Sequence, residues 1–164
     1  MTARRLTNDD WGLDSSCFVC ESANTAGLQL ELWADDDVGQ VWADLCLGAA
    51  FSGAPRLVHG GISLAVLDEV QAWAVIALAG SWAVTVETAA AFPRPIRLDT
   101  DYRAVGEVVG REGDRVTTKG RIETPGGLVC VTSTTTFQVI GEAAAVRFSG
   151  EAVSDDNRRY LADE

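Results

Sequence analysis

The 164-residue chain holds one histidine, four cysteines and four prolines, and only 7% of it is aromatic. Its apolar runs stop short of the about 18 uncharged residues that a membrane-spanning helix needs, so no such helix and no membrane partner are expected. The opening MTARRLTNDD has two arginines but no apolar segment behind them, so no secretory signal is read there. Basic residues are scarce as well: 13 Lys and Arg face 24 Asp and Glu, for a net charge of −11. This balance argues against nucleic acid as a partner, because phosphate binding needs basic surface to release counterions. So much acid chiefly serves solubility, and a local arginine cluster could still meet a small phosphorylated ligand.

The cysteines Cys17, Cys20, Cys46 and Cys130 lie in a chain that is 47% hydrophobic and long enough for a real core. Reduced thiols in a cytoplasm fit this better than a disulfide scaffold. Cys17-x-x-Cys20 could open a zinc site, but no second close Cys/His pair follows, and Cys46 and Cys130 fall in expected strands. No metal and no other cofactor is therefore expected.

There is no internal repeat and no low-complexity linker. Three segments are expected: a polar, loosely structured lead-in over 1–26, a single folded domain over 27–140, and a polar tail over 141–164 that holds at most a short helix near 157–162. Leu28, Leu30 and Leu32 alternate with Gln29, Glu31 and Trp33 at strand period. Asp35 to Asp37 turn that strand toward a second over 38–47, and 48–58 reads as loop. The segment 61–79 is apolar on nearly every face and predicts one long buried helix, ended by Gly80. Strands are then expected over 82–92, 101–110, 115–123 and 128–140, separated by short turns that imply antiparallel pairing. The class is α+β, with about six antiparallel strands wrapped around one long central helix.

The densest chemistry lies at residues 59 to 69, HGGISLAVLDE. His59 and two glycines open the helix, where bare backbone N–H groups carry the positive end of its dipole. Asp68 and Glu69 follow two turns later on an otherwise apolar helix, where a carboxylate is costly without a partner or a role. Read blandly, Asp68 is a structural partner for an arginine. Glu69 points about 100° away from it and is read as structural or interfacial.

The element order and these residues resemble the hotdog-fold acyl-CoA thioesterases, in particular the PaaI-like branch. The resemblance runs from about Cys17 to Val139. It rests on His59-Gly60-Gly61 with an acid at Asp68, on Leu67-Asp68-Glu69 continuing into Ala72-Trp73-Ala74, on Arg94-Pro95-Ile96, and on Cys17-Phe18-Val19-Cys20 followed by Gly27-Leu28. The resemblance implies a homodimer, or a dimer of dimers forming a tetramer, with sheets joined and long helices side by side. It also implies metal-free hydrolysis of acyl-CoA or a related thioester. Gly60 would supply the oxyanion N–H, Asp68 the acid, and Thr85 a hydroxyl that holds the water or the carboxylate. His59 would orient the loop or carry a proton. Gly61, Ser52, Trp73 and Arg94 fall on the substrate side, Trp73 along the acyl chain and Arg94 with Arg97 and Arg103 near CoA phosphates. A solvated strand edge explains those arginines equally well, and the five tryptophans are expected chiefly in core and interface.

The spacing adds an argument of its own. Eight residues of helix separate Gly60 from Asp68, roughly 12 Å along the axis. One carbonyl cannot reach both groups of one chain, whereas two antiparallel copies of the helix bring them together. Asp68 could then act as general base or as nucleophile. Two other readings remain: an acyl-CoA-binding hotdog module without catalysis, and a hydratase or dehydratase, which places its His and acid at a different spacing.

Overall fold

A computed structural model describes residues 3–12 and 15–162. Among these residues, seven strands form one antiparallel sheet in the order β1-β2-β3-β7-β8-β9-β6. They are β1 (Arg4–Leu6), β2 (Leu32–Asp35), β3 (Gln40–Cys46), β6 (Ala83–Ala91), β7 (Asp101–Glu112), β8 (Arg115–Glu123) and β9 (Val129–Val139). A small hairpin, β4 (Ser52–Ala54) and β5 (Leu57–Val58), leads into the long helix α1 (Gly60–Ala79). The chain is thus α+β, with α1 packed across a large antiparallel sheet in a hotdog arrangement. α1 is the one described helix long and apolar enough to cross a membrane, but here it is the core helix of the fold.

The helix is seated by two glycines. Gly106 and Gly120 are direct cross-strand partners on β7 and β8. A methyl group on Gly106 would come 2.5 Å from the Val70 carbonyl oxygen, and one on Gly120 would come 2.9 Å from the Gln71 side chain. The sheet is therefore bare where α1 crosses it, and the helix backbone lies directly on the strands. Gln71, fully buried, fixes the helix rotation. Its Nε2 donates to the Leu67 carbonyl (2.9 Å) and to Ser133 Oγ (2.8 Å), while Thr118 Oγ1 donates to its Oε1 (2.9 Å). A buried amide satisfied on both ends holds one orientation, because any other would leave polar groups unpaired at about 1–3 kcal/mol each. Around this seat pack Val66, Leu67, Val70 and Trp73 from α1 with Leu32, Val41, Ile122 and Val131 from the sheet.

The expected strand at 28–33 begins later, at Leu32. Gln29 adopts a left-handed φ of 51°, which breaks the extended run. The Leu28 and Leu30 N–H groups instead bond the Phe18 and Val19 carbonyls (both 2.8 Å), folding residues 17–30 into a layer over the core. Asp35 ends β2, and its buried carboxylate accepts the Asp37 and Val38 N–H groups, as turn-forming aspartates do. The lead-in contains β1, a three-residue strand too short for pattern reading.

Residues 142–149 form a second helix, α2 (Glu142–Ser149), that the sequence reading did not contain. The short helix expected at 157–162 is a 3-10 turn over Asp155–Tyr160. The Tyr160 ring stacks on Trp82 at 5.9 Å, and the Tyr160 carbonyl accepts the Trp82 N–H (2.7 Å), so the tail docks beside the start of β6.

The glycine seat gives a direct test. Gly106→Ala forces a methyl into the helix backbone and is expected to destabilise the fold by about 1–3 kcal/mol in urea unfolding. Gly110→Ala, four residues along the same strand with open space at the methyl position, is expected to stay within about 0.5 kcal/mol. Equal effects at the two positions would refute the close helix approach.

Candidate active site

α1 starts where its sequence says it should, and His59 is its N-cap. The residue is extended (φ −63°, ψ 133°), and its Nδ1 accepts the Gly61 N–H at 2.9 Å. The His59 carbonyl takes the Ile62 and Ser63 N–H groups at 3.0 and 3.2 Å, and its own N–H bonds the Phe51 carbonyl at 2.9 Å. The β4–β5 hairpin lies so close that a side chain at Gly53 would strike the His59 Cα at 2.7 Å. Imidazole and backbone alike are thus committed to shaping this turn. The contact His59 makes is a helix cap, not a contact with Asp68.

One donor remains. The Gly60 N–H meets no acceptor among the described residues, while its neighbours at 61, 62 and 63 are all taken. It sits at the positive end of a 20-residue helix dipole. The Phe92 ring stands close by, 3.7 Å from where a methyl on Gly60 would lie.

Asp68 is half-buried two turns on, and its Oδ1 accepts the Thr85 hydroxyl at 2.7 Å. The helix and β6 thus bring together two residues 17 apart in sequence. No Lys, Arg or His pairs with Asp68 among the described residues, so the bland reading lacks its arginine. Gly60 and Asp68 occupy the same straight helix, so within one chain they stay roughly 12 Å apart. Three surface grooves, around Asp44 and Arg103, around Asn24, and around Lys119, all leave both groups out.

The other expected site residues fall in different places. Ser52 is exposed on β4, paired with Val58 next to the His59 turn. Gly61 has its N–H occupied by the cap. Trp73 is buried in the core, about 140° around the helix from Asp68, and its indole N–H donates to Glu69 (3.0 Å). The Arg94 guanidinium donates to the Val129 carbonyl (2.8 Å) and ties the loop after β6 to β9. Arg103 forms a two-pronged ion pair with Asp44 (2.7 and 2.8 Å), so among Arg94, Arg97 and Arg103 only the Arg97 guanidinium has no partner among the described residues.

Glu69 belongs to a separate cluster. Both of its oxygens lie 3.5 Å from Cys17 Sγ, and burial pushes its carboxyl up to about 7. The Cys17 thiol is held below its ordinary range by hydrogen bonds from Cys20 and from the Val19 and Cys20 N–H groups, and Cys20 is raised in turn. No sequence pattern marks this gathering, because its third group is a carboxylate 52 residues from Cys17 and not a second Cys/His pair.

Residues 56–131, from just before the cap to the middle of β9, match the family model of the Thioesterase superfamily. Through this segment, just under half of its length, the chain is similar to that superfamily. A solved thioesterase superfamily protein is 30% identical with a TM-score of 0.66, covering 70% of this chain and 56% of its own. A phenylacetic acid degradation-related protein of Ralstonia eutropha is 26% identical, TM-score 0.61, covering 68% and 86%. A Streptococcus pneumoniae thioesterase protein, solved with coenzyme A, shares the fold at 22% identity and TM-score 0.58, covering 62% and 81%. No curated protein matches the chain.

The capping role makes a prediction. His59→Ala removes the acceptor for the Gly61 N–H and is expected to cost about 1 kcal/mol in denaturant unfolding, whereas His59→Asn, a strong cap, retains stability. If His59→Asn is as destabilised as His59→Ala, the cap is not what the imidazole contributes.

Proposed function

We propose that the chain hydrolyses acyl-CoA thioesters at a site completed by two copies of itself. The observation that carries this reading is the pairing of a Gly60 N–H unclaimed among the described residues with an Asp68 that has no cationic partner among them, on one helix and too far apart to serve one carbonyl. Two antiparallel copies of α1 set the start of one helix beside the middle of the other and remove the difficulty.

The sheet edges support such a pairing. β1 is a short edge of three residues that carries Arg4 and Arg5, a common way to discourage further strand addition. β6, at the opposite edge, runs nine residues with one charge and no proline, and Val84, Val86 and Phe92 are exposed there. A long apolar edge of this kind is a template for a partner strand. Pairing β6 with its copy brings Thr85, Asp68 and the nearby Phe92–Gly60 turn toward the interface.

In this site the thioester oxygen points at the Gly60 N–H, and the helix dipole stabilises the charge that develops on it. Asp68, positioned by Thr85, takes a proton from water as the water attacks the carbonyl, or attacks the carbonyl itself to give an anhydride that water opens. Either route expels the CoA thiolate. A thiolate leaves readily, so no strong general acid is required. Ser52, beside the cap, and Arg94, after β6, are the polar groups we assign to the substrate side. Coenzyme A is bound by the pneumococcal neighbour, and an aspartate and a threonine have been replaced by alanine in solved variants of that protein. Four free thiols suit a reducing cytoplasm.

A panel of acyl-CoA thioesters with a thiol-reactive reporter tests the reading. Asp68→Asn is expected to lower kcat about 100–10,000-fold. Gly60→Pro removes the donor at the first helical position, where proline is well tolerated, after a residue already extended as proline prefers. It is expected to keep the fold and lose about 100–1,000-fold in kcat. Thr85→Val should fall between these variants and wild type. CoA-ester binding with no thiol release, or turnover indifferent to Asp68, would contradict the proposal and favour a binding module.

A further inference from the structure

The cluster at Glu69 lies outside the site proposed for thioester hydrolysis, and its chemistry is of another kind. Cys17, Cys20 and Glu69 each present one donor atom, and these atoms all lie within 4.8 Å of one another. They come from two parts of the fold: a tight Cys-x-x-Cys turn in the layer of residues 17–30, and the middle of α1. No Lys, Arg or His pairs with Glu69 among the described residues; its partners are the Trp73 indole and the thiols. Three groups that can each carry a negative charge thus converge in a partly buried place without a cation from the described residues.

We propose that Cys17, Cys20 and Glu69 bind a thiolate-preferring divalent cation of the zinc type, with the fourth position open to water. The spacing fits. With metal–sulfur and metal–oxygen distances of about 2.3 and 2.0 Å, the sulfur-to-oxygen edge of a tetrahedron is about 3.5 Å. Both Glu69 oxygens stand 3.5 Å from Cys17 Sγ. The turn is formed for a metal-bound sulfur as well, since the Val19 N–H already points at Cys17 Sγ at 3.3 Å. Asn8 reaches the rim, its amide 3.8 Å from Cys20 Sγ. Two sulfurs and one carboxylate favour zinc over magnesium, calcium or manganese, which prefer oxygen. On binding, the two thiols give up their protons to solvent and the cation replaces them.

The consequence is mechanical. Residues 17–30 cover the core with Val19 and Leu30, and the metal would bolt this layer to α1 one residue from Asp68. Zinc would be structural here, and the inference is independent of the thioesterase reading: either can fail while the other stands.

Metal titration decides it. The full chain, reduced and stripped with a chelator, is titrated with Co²⁺. One equivalent is expected to bind with a thiolate-to-cobalt charge-transfer band and tetrahedral ligand-field bands, both displaced by Zn²⁺. Cys46→Ser and Cys130→Ser should leave the spectrum unchanged, Cys20→Ala should weaken binding and diminish the charge-transfer band, and Glu69→Gln should weaken binding at least about tenfold. Zinc at one hundred times its Kd should raise Tm by about 5–10 °C. The wild-type titration needs no variant to fold. Absence of the charge-transfer band would overturn the proposal, because a plain S–H···O contact gives the same 3.5 Å spacing. An affinity unchanged in Glu69→Gln would overturn it too, as would a Cys17–Cys20 disulfide that takes up no Co²⁺ after reduction.

Discussion

The structure depends on how α1 is seated. Gly106 and Gly120 leave the sheet bare beneath it, and Gln71 locks its rotation through Ser133 and Thr118. Every functional direction follows from that lock. With Gln71 pointing into the sheet, Asp68 faces Thr85 on β6, and Glu69 faces the layer that carries Cys17 and Cys20. A helix turned by one residue would exchange the surroundings of the two acids.

Those two neighbouring carboxylates show how far about 100° of rotation can separate chemistry. Asp68 accepts one hydroxyl and stands beside an exposed strand, with no cation among the described residues to hold it. Glu69 is buried against sulfur and indole, and desolvation dominates its behaviour. Sequence adjacency gives no hint of this difference. It arises because each side chain meets a different wall of the same fold.

Much of this was legible from residue order. The long apolar run, its glycine stop and the even spacing of later strands gave α1 and the four strands after it, with ends close to those observed. The HGG and the acid nine residues after His59 pointed to the superfamily segment. Three things were hidden. Gln29 broke an alternation that looked like strand, because a left-handed backbone cannot be read from a leucine pattern. Gln71 was lost inside a helix of apolar residues, where a single polar side chain draws little notice without its partners. The cysteine cluster was lost because its third member lies about fifty residues away and is a carboxylate.

In the proposed function each chain carries one half-site. An unclaimed donor at the start of α1 and a held carboxylate in its middle do little for a thioester within one copy, and a pairing edge lies beside them at β6. Subunit complementation tests this most directly. Gly60→Pro and Asp68→Asn chains, each inactive alone, are unfolded together, refolded as a mixture and assayed for thiol release. If each site draws Gly60 from one copy and Asp68 from the other, mixed dimers hold one intact site, and about a quarter of wild-type activity returns. A mixture no more active than its parents would contradict the shared site.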